Sequence, residues 1–214
     1  MTLRLLAALI PAVVMAAAGA GVAAAQPQSS NPVYVDDSPS ARETFLGIRD
    51  QLAAGNLDGA VRVLQRLLDE EPERLVDSPE DSDLFIGVRE AVHRVLLTTP
   101  ELLERYRQSE GAKAQRALDA GQAQRVEAAW LLTPAGLEAA LWLAQEHLEA
   151  ARFDAAWFTL RQLDAHPDRR GAGARDCAAM LAALAPYLDR AEVWEMASRW
   201  SQQATGAPVA RRAE

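Results

Sequence analysis

The chain has 214 residues, half of them hydrophobic and 24% charged, with 22 Lys+Arg against 30 Asp+Glu and one Cys. That length suffices for one or two domains with a substantial core. The acidic balance excludes sequence-independent nucleic-acid binding, which needs a basic face to neutralise phosphates, and the lone Cys177 excludes a disulfide framework or a multi-thiolate metal centre.

Arg4 is the one charge ahead of an apolar stretch over residues 5–25, which ends in Ala23-Ala24-Ala25 before Gln26. A short basic start, an apolar middle and small residues at the cut are the marks of a secretory signal. Residues 1–25 are therefore expected to be a cleaved signal peptide, placing the mature chain outside the cytoplasm, in the periplasm or cell envelope. An uncleaved anchor is the alternative, because about twenty apolar residues span a bilayer. Pro11, Gly19, Gly21 and the many Ala dilute the run and favour cleavage, after which no membrane insertion is expected. Residues 26–39, with Pro27, Pro32 and Pro39, read as a disordered leader, and 204–214 as a flexible tail.

Between these ends the period is helical. Ala41, Phe45, Ile48 and Leu52 recur at steps of four, three and four and form one stripe. Ser40 with Glu43 has the spacing of a capping box, and Gly55 supplies a left-handed stop. A second amphipathic run, through Leu57, Ala60, Val61, Leu64, Leu67 and Leu68, follows at once, so the pair reads as an antiparallel hairpin. Ser78-Pro79, Thr99-Pro100 and Thr133-Pro134 each place a capping hydroxyl before a Pro at the first helical position. The resulting expectation is helices near 79–97, 100–108, 110–120, 123–131, 134–149, 153–164, 174–185 and 190–203. No stretch longer than about four residues alternates apolar and polar as a half-buried strand does. The domain, 40–203, is expected to be all-α.

The segment Gly55-Asn56-Leu57-Asp58-Gly59-Ala60 returns as Ala151-Arg152-Phe153-Asp154-Ala155-Ala156. After each, apolar positions keep step, Val61, Leu64 and Leu67 beside Trp157, Leu160 and Leu163, and a Pro follows at Pro72 and Pro167. Small side chains at Ala60 and Ala156 let two helices approach closely. This pattern resembles the second half of a tetratricopeptide (TPR) repeat. The copies lie 96 residues apart, no multiple of the 34-residue period, so 73–136 is either degenerate or built differently.

The runs Leu64-Gln65-Arg66-Leu67-Leu68-Asp69, Val88-Arg89-Glu90-Ala91-Val92-His93-Arg94, Tyr106-Arg107 and Leu132-Thr133-Pro134-Ala135-Gly136-Leu137-Glu138-Ala139-Ala140 are also similar to a known helical region. It is the region ahead of the PQQ-like β-propeller in secreted bacterial outer-membrane assembly factor-like proteins. Forty-four residues follow Arg170, about one propeller blade, so no quinone cofactor is expected.

Patterns that could carry chemistry are sparse. Glu90 and His93 have the i, i+3 spacing of di-iron bundles, which need two such units and two further Glu. A solvated helix edge explains the pair better. His147 and His166 have no Cys or His at ligand spacing, so zinc is not expected. Residues 71–83 hold six acids but no Gly for the sharp turn of a calcium loop. Cys177 falls in the apolar series Cys177, Met180, Leu181, Leu184 and reads as core. No nucleophile elbow, phosphate loop or dinucleotide fingerprint is present.

The TPR resemblance implies a short α-solenoid acting as a non-catalytic adaptor, without metal or cofactor, for another envelope protein or peptide. In that family the first helix of each hairpin lines the concave face. Here that would expose Arg42 and Arg49 early, and Glu138, Trp142, Gln145 and Glu149 later, as the partner-binding residues. The propeller resemblance implies the alternative, an accessory region of a longer protein involved in envelope assembly. A metal carrier or enzyme using Glu90, His93 and the acidic run is a further competitor.

Overall fold

The computed structural model describes residues 39–78, 84–169, 173–188 and 190–205, all within one compact unit, Val35–Glu214. The expected signal peptide, all of the leader but Pro39, and the tail beyond Thr205 lie outside the described residues. Nine α-helices are described: α1 (Pro39–Ala53), α2 (Leu57–Glu70), α3 (Val88–Thr98), α4 (Pro100–Asp119), α5 (Ala123–Trp130), α6 (Pro134–Glu149), α7 (Phe153–Gln162), α8 (Gly173–Leu184) and α9 (Ala191–Thr205). Two short strands, β1 (Leu75–Asp77) and β2 (Phe85–Gly87), lie between α2 and α3, and 3-10 turns cover Leu163–Ala165 and Ala185–Tyr187. The fold is mostly helical, as the apolar period requires.

Three helix pairs share one turn. Gly55, Gly121 and Ala151 have φ of 70°, 75° and 54°, the left-handed conformation that ends a helix and returns the chain. Each turn carries the same two hydrogen bonds. Gly55 N donates to Leu52 O and Asn56 N to Gln51 O. Gly121 N donates to Leu118 O and Gln122 N to Ala117 O; Ala151 N donates to Leu148 O and Arg152 N to His147 O. The α1–α2, α4–α5 and α6–α7 turns are therefore local equivalents. Ala60 and Ala156, five residues beyond two of these turns, are fully buried, as close helix approach demands.

The middle of the chain departs from the expected pattern. Where a helix over 79–97 was expected, β1 and β2 pair antiparallel, Val76 opposite Ile86, and helix begins only at Val88. Val76 and Ile86 are buried on one face, but a three-residue alternation is too short to stand out in sequence. Residues 79–83, including the Pro of the expected Ser78-Pro79 cap, lie outside the described residues. The expected helices 100–108 and 110–120 are one helix, α4, of 20 residues. Glu110 and Ala114 are buried on it, so the apolar surroundings hold the helix through Gly111. The Ser40–Glu43 capping box does not form: Ser40 is already the second residue of α1, and its hydroxyl donates to Glu71 Oε1 at 2.7 Å.

The junction between α5 and α6 is the best-knitted part of the backbone. A helix end leaves carbonyls without partners, and here side chains from distant segments supply them. The Tyr106 hydroxyl (3.1 Å) and the Gln65 amide (3.3 Å) both donate to Ala129 O, and the Thr133 hydroxyl donates to Trp130 O at 2.8 Å. His166 Nε2 lies 2.9 Å from Leu131 O, while its Nδ1 accepts from the Asp168 amide, which fixes a neutral ring with the hydrogen on Nε2. Burial keeps the His166 pKa below its usual value. Thr133 also caps α6, accepting from Gly136 N at 3.1 Å, so the Thr133-Pro134 start forms as its sequence predicts.

Two apolar clusters make the core. One gathers α1 to α5 and the hairpin; the other gathers α7, α8 and α9. α6 supplies both, through Ala135, Ala139 and Leu143 on one side and Leu137, Ala140 and Ala144 on the other. A helix flanked on both sides must be apolar nearly all round, which explains its Ala-rich sequence. Trp130, Trp157 and Trp200 are buried in these clusters, as is Cys177, whose thiol burial pushes up to about 12.

Candidate functional site

Because α6 is covered on both sides, a narrow stripe remains open: Pro134, Glu138, Trp142, Gln145 and Glu149, at steps of four, four, three and four. Trp142 stands 50% exposed in the middle of it. A large aromatic half in water on an otherwise buried helix is the most conspicuous apolar group of this surface.

The stripe borders a groove of about 620 Å³ between α6 and α8. Leu137, Leu141 and Met180 give it an apolar floor, and Gly173 opens its α8 end: a Cβ there would sit 3.0 Å from the Leu137 side chain. Glu138 on α6 and Asp176 on α8 face it from either side. Neither carboxylate makes a hydrogen bond or ion pair with another described residue, and no basic side chain is among the described residues that line the groove. Gln145 donates to Glu149 Oε1 at 2.8 Å, which aligns these two along the stripe. Pro134 is shared with a shallower depression between α4 and α6, of about 460 Å³, bordered by Glu104, Gln108 and Gln115. The two hollows thus meet at the start of α6.

Of the residues expected to bind a partner, Glu138, Trp142, Gln145 and Glu149 share this stripe. Arg42 and Arg49 sit instead on α1, which packs against α2 and β1. Arg42 pairs with Asp77 of β1 at 2.6 Å, tying α1 to the hairpin. Asp176 and Met180 are the groove residues that sequence reasoning passed over; α8 read only as a buried apolar series. Glu90 is paired with Arg94 at 2.6 Å, and among the described residues no group of three His, Cys, Asp or Glu is placed to hold a metal ion. No described helix is long and apolar enough to cross a membrane. Comparison with protein-family models, curated proteins and solved structures gives no match.

Proposed function

We propose that the chain is a non-catalytic adaptor, a TPR-like short α-solenoid working in the bacterial cell envelope, which docks a segment of another protein in the α6–α8 groove. The observation that carries this reading is Trp142, half in water above an apolar floor and flanked by the carboxylates of Glu138 and Asp176, which have no partner among the described residues. Rigid aromatics bury much area at little entropic cost and are common anchors of interfaces. The two carboxylates favour a segment that brings a basic side chain beside an apolar one, since a cation over Trp142 would gain from both ring and carboxylate. The repeated turns at Gly55, Gly121 and Ala151 support the solenoid part of the reading.

The test is retention of envelope proteins by the tagged chain. Trp142→Ala, and separately Glu138→Arg with Asp176→Arg, should each weaken capture by about tenfold, the effect of a hot-spot loss of about 1.4 kcal/mol, with unchanged circular dichroism. Equal capture by the native protein and both variants overturns the groove as the docking surface.

A further inference from the structure

A second cleft, of about 720 Å³, lies between α3 and α7, within the range of small-molecule sites, about 300–1,000 Å³. It shares no described residue with the α6–α8 groove. One helix face of α3, carrying Glu90, His93, Arg94 and Leu97 at i, i+3, i+4 and i+7, meets Phe158 and Arg161 of α7 across it.

Its described lining is not acidic, unlike the molecule as a whole. Arg89, Arg94 and Arg161 face the cleft, with the carboxylates of Glu73 and Glu90, in a protein of net charge −8. Arg89 is held by Glu73 at 2.9 Å and by Glu127 at 3.6 Å, and Arg94 by Glu90 at 2.6 Å. Both cleft carboxylates are thereby neutralised in place. Arg161 makes no hydrogen bond or ion pair with any described residue, so its guanidinium has no described carboxylate against it.

His93 is half-buried in the wall and has no hydrogen-bond partner among the described residues. Loss of water, then the nearby Arg89 and His166, lower its pKa to about 4. At neutral pH the ring therefore offers one unused N–H donor. Phe158, one turn before Arg161, is 57% exposed at the same opening. A guanidinium and a ring donor without partners among the described residues lie with an exposed aromatic on one cleft.

We propose that this cleft binds a small monocarboxylate with an aromatic body, its carboxylate taken by Arg161 and the His93 ring N–H and its ring lying against Phe158 and Leu97. A guanidinium matches a carboxylate in shape as well as charge. One such guanidinium suits one carboxylate; a phosphate dianion would want a second cation, which Arg89 and Arg94, held by Glu73 and Glu90, do not offer. The site is independent of the docking reading and stands or falls without it.

The probe is phenylacetate, titrated into the intact chain and followed by NMR of the His93 ring, with His93→Gln to assign the signal. Phenylacetate should shift that signal saturably and raise the His93 pKa, because a bound anion favours the imidazolium. Arg161→Ala, at an exposed position, should weaken binding about tenfold without moving Tm, and phenethylamine and inorganic phosphate should not saturate. A shift that never saturates, equal binding by Arg161→Ala, or equal binding of the amine or phosphate overturns the proposal.

Discussion

Ala151 occupies a left-handed position that two glycines fill elsewhere in the chain, with φ of 54° against 70° and 75°. An L side chain at such a φ costs about 1 kcal/mol. Ala151→Gly should therefore stabilise the protein by about that amount, less the entropy that glycine brings to the unfolded chain, while Gly121→Ala should destabilise it. Urea denaturation of the two variants measures both signs. Gly136 answers to a different cause, since a Cβ there would lie 2.2 Å from Trp130 O and 2.4 Å from Leu131 O. Both are backbone atoms at the junction where Tyr106, Gln65 and His166 converge, and none can swing aside. Gly136→Ala is expected to cost about 3 kcal/mol, visible as a lower urea midpoint. His93 sets a pH dependence. Its folded pKa of about 4 lies below the ordinary value of 6.5, so between those limits the unfolded chain binds a proton that the folded chain refuses. Stability is full above about pH 6.5 and falls as the pH drops toward 4, by up to about 3 kcal/mol. The surrounding Arg89, Arg94 and Arg161 act in the same sense, and Glu73 and Glu90 oppose it. Urea midpoints at pH 7 and pH 5 should differ less in His93→Gln than in the native protein, with a residual slope from His166, whose pKa is also lowered.

At the scale of elements, what the sequence made legible follows how loudly each segment repeats its period. The run from Leu57 to Leu68 and the start at Thr133-Pro134 announce themselves through long stripes and a capping pair, and α2 and α6 form there. The break between 120 and 123 falls where expected, but the likeness of the α4–α5 turn to the other two does not show in the sequence. Leu57 with Ala60, and Phe153 with Ala156, place a large residue before a small one; Ala123 with Val126 reverses the order. Ala123 and Val126 are both buried, so the same space is filled from the other position and the motif disappears from view. If volume is exchanged between these sites, Ala123→Leu alone should overpack and cost about 1–3 kcal/mol, and Val126→Ala in the same chain should recover part of that loss. A double-mutant cycle measures the coupling. The hairpin of β1 and β2 escaped for a further reason: each strand has three residues, too few for an alternation to register, and it is the pairing of Val76 with Ile86 that makes them strands.

For the molecule as a whole, the decisive element is the helix common to both apolar clusters. Because Ala139 and Ala140, neighbours in sequence, belong to different clusters, neither can lose its packing without exposing α6 to water on that side. Unfolding is expected to be a single transition, with tryptophan fluorescence and circular dichroism tracing the same urea curve; two separated steps would mean that the clusters are independent. The stripe beside the groove was legible because four of its residues lie on one helix at helical spacing. The groove's opposite wall and the joining of Glu90 and His93 to α7 were not, since they bring together residues about forty and about seventy positions apart through tertiary packing alone. The Arg107–Asp168 and Arg105–Asp58 ion pairs, which link α4 to the segment after α7 and to α2, are long-range in the same way.

The open edge of α6 has a consequence for how this protein is free to change. Substitutions over most of that helix are judged first by whether the chain still folds, whereas Glu138, Trp142, Gln145 and Glu149 answer to water and to whatever arrives from it. Selection for a new partner could rewrite those four letters while leaving the architecture untouched, and saturation mutagenesis of the helix should show tolerance returning with each turn, along that edge alone.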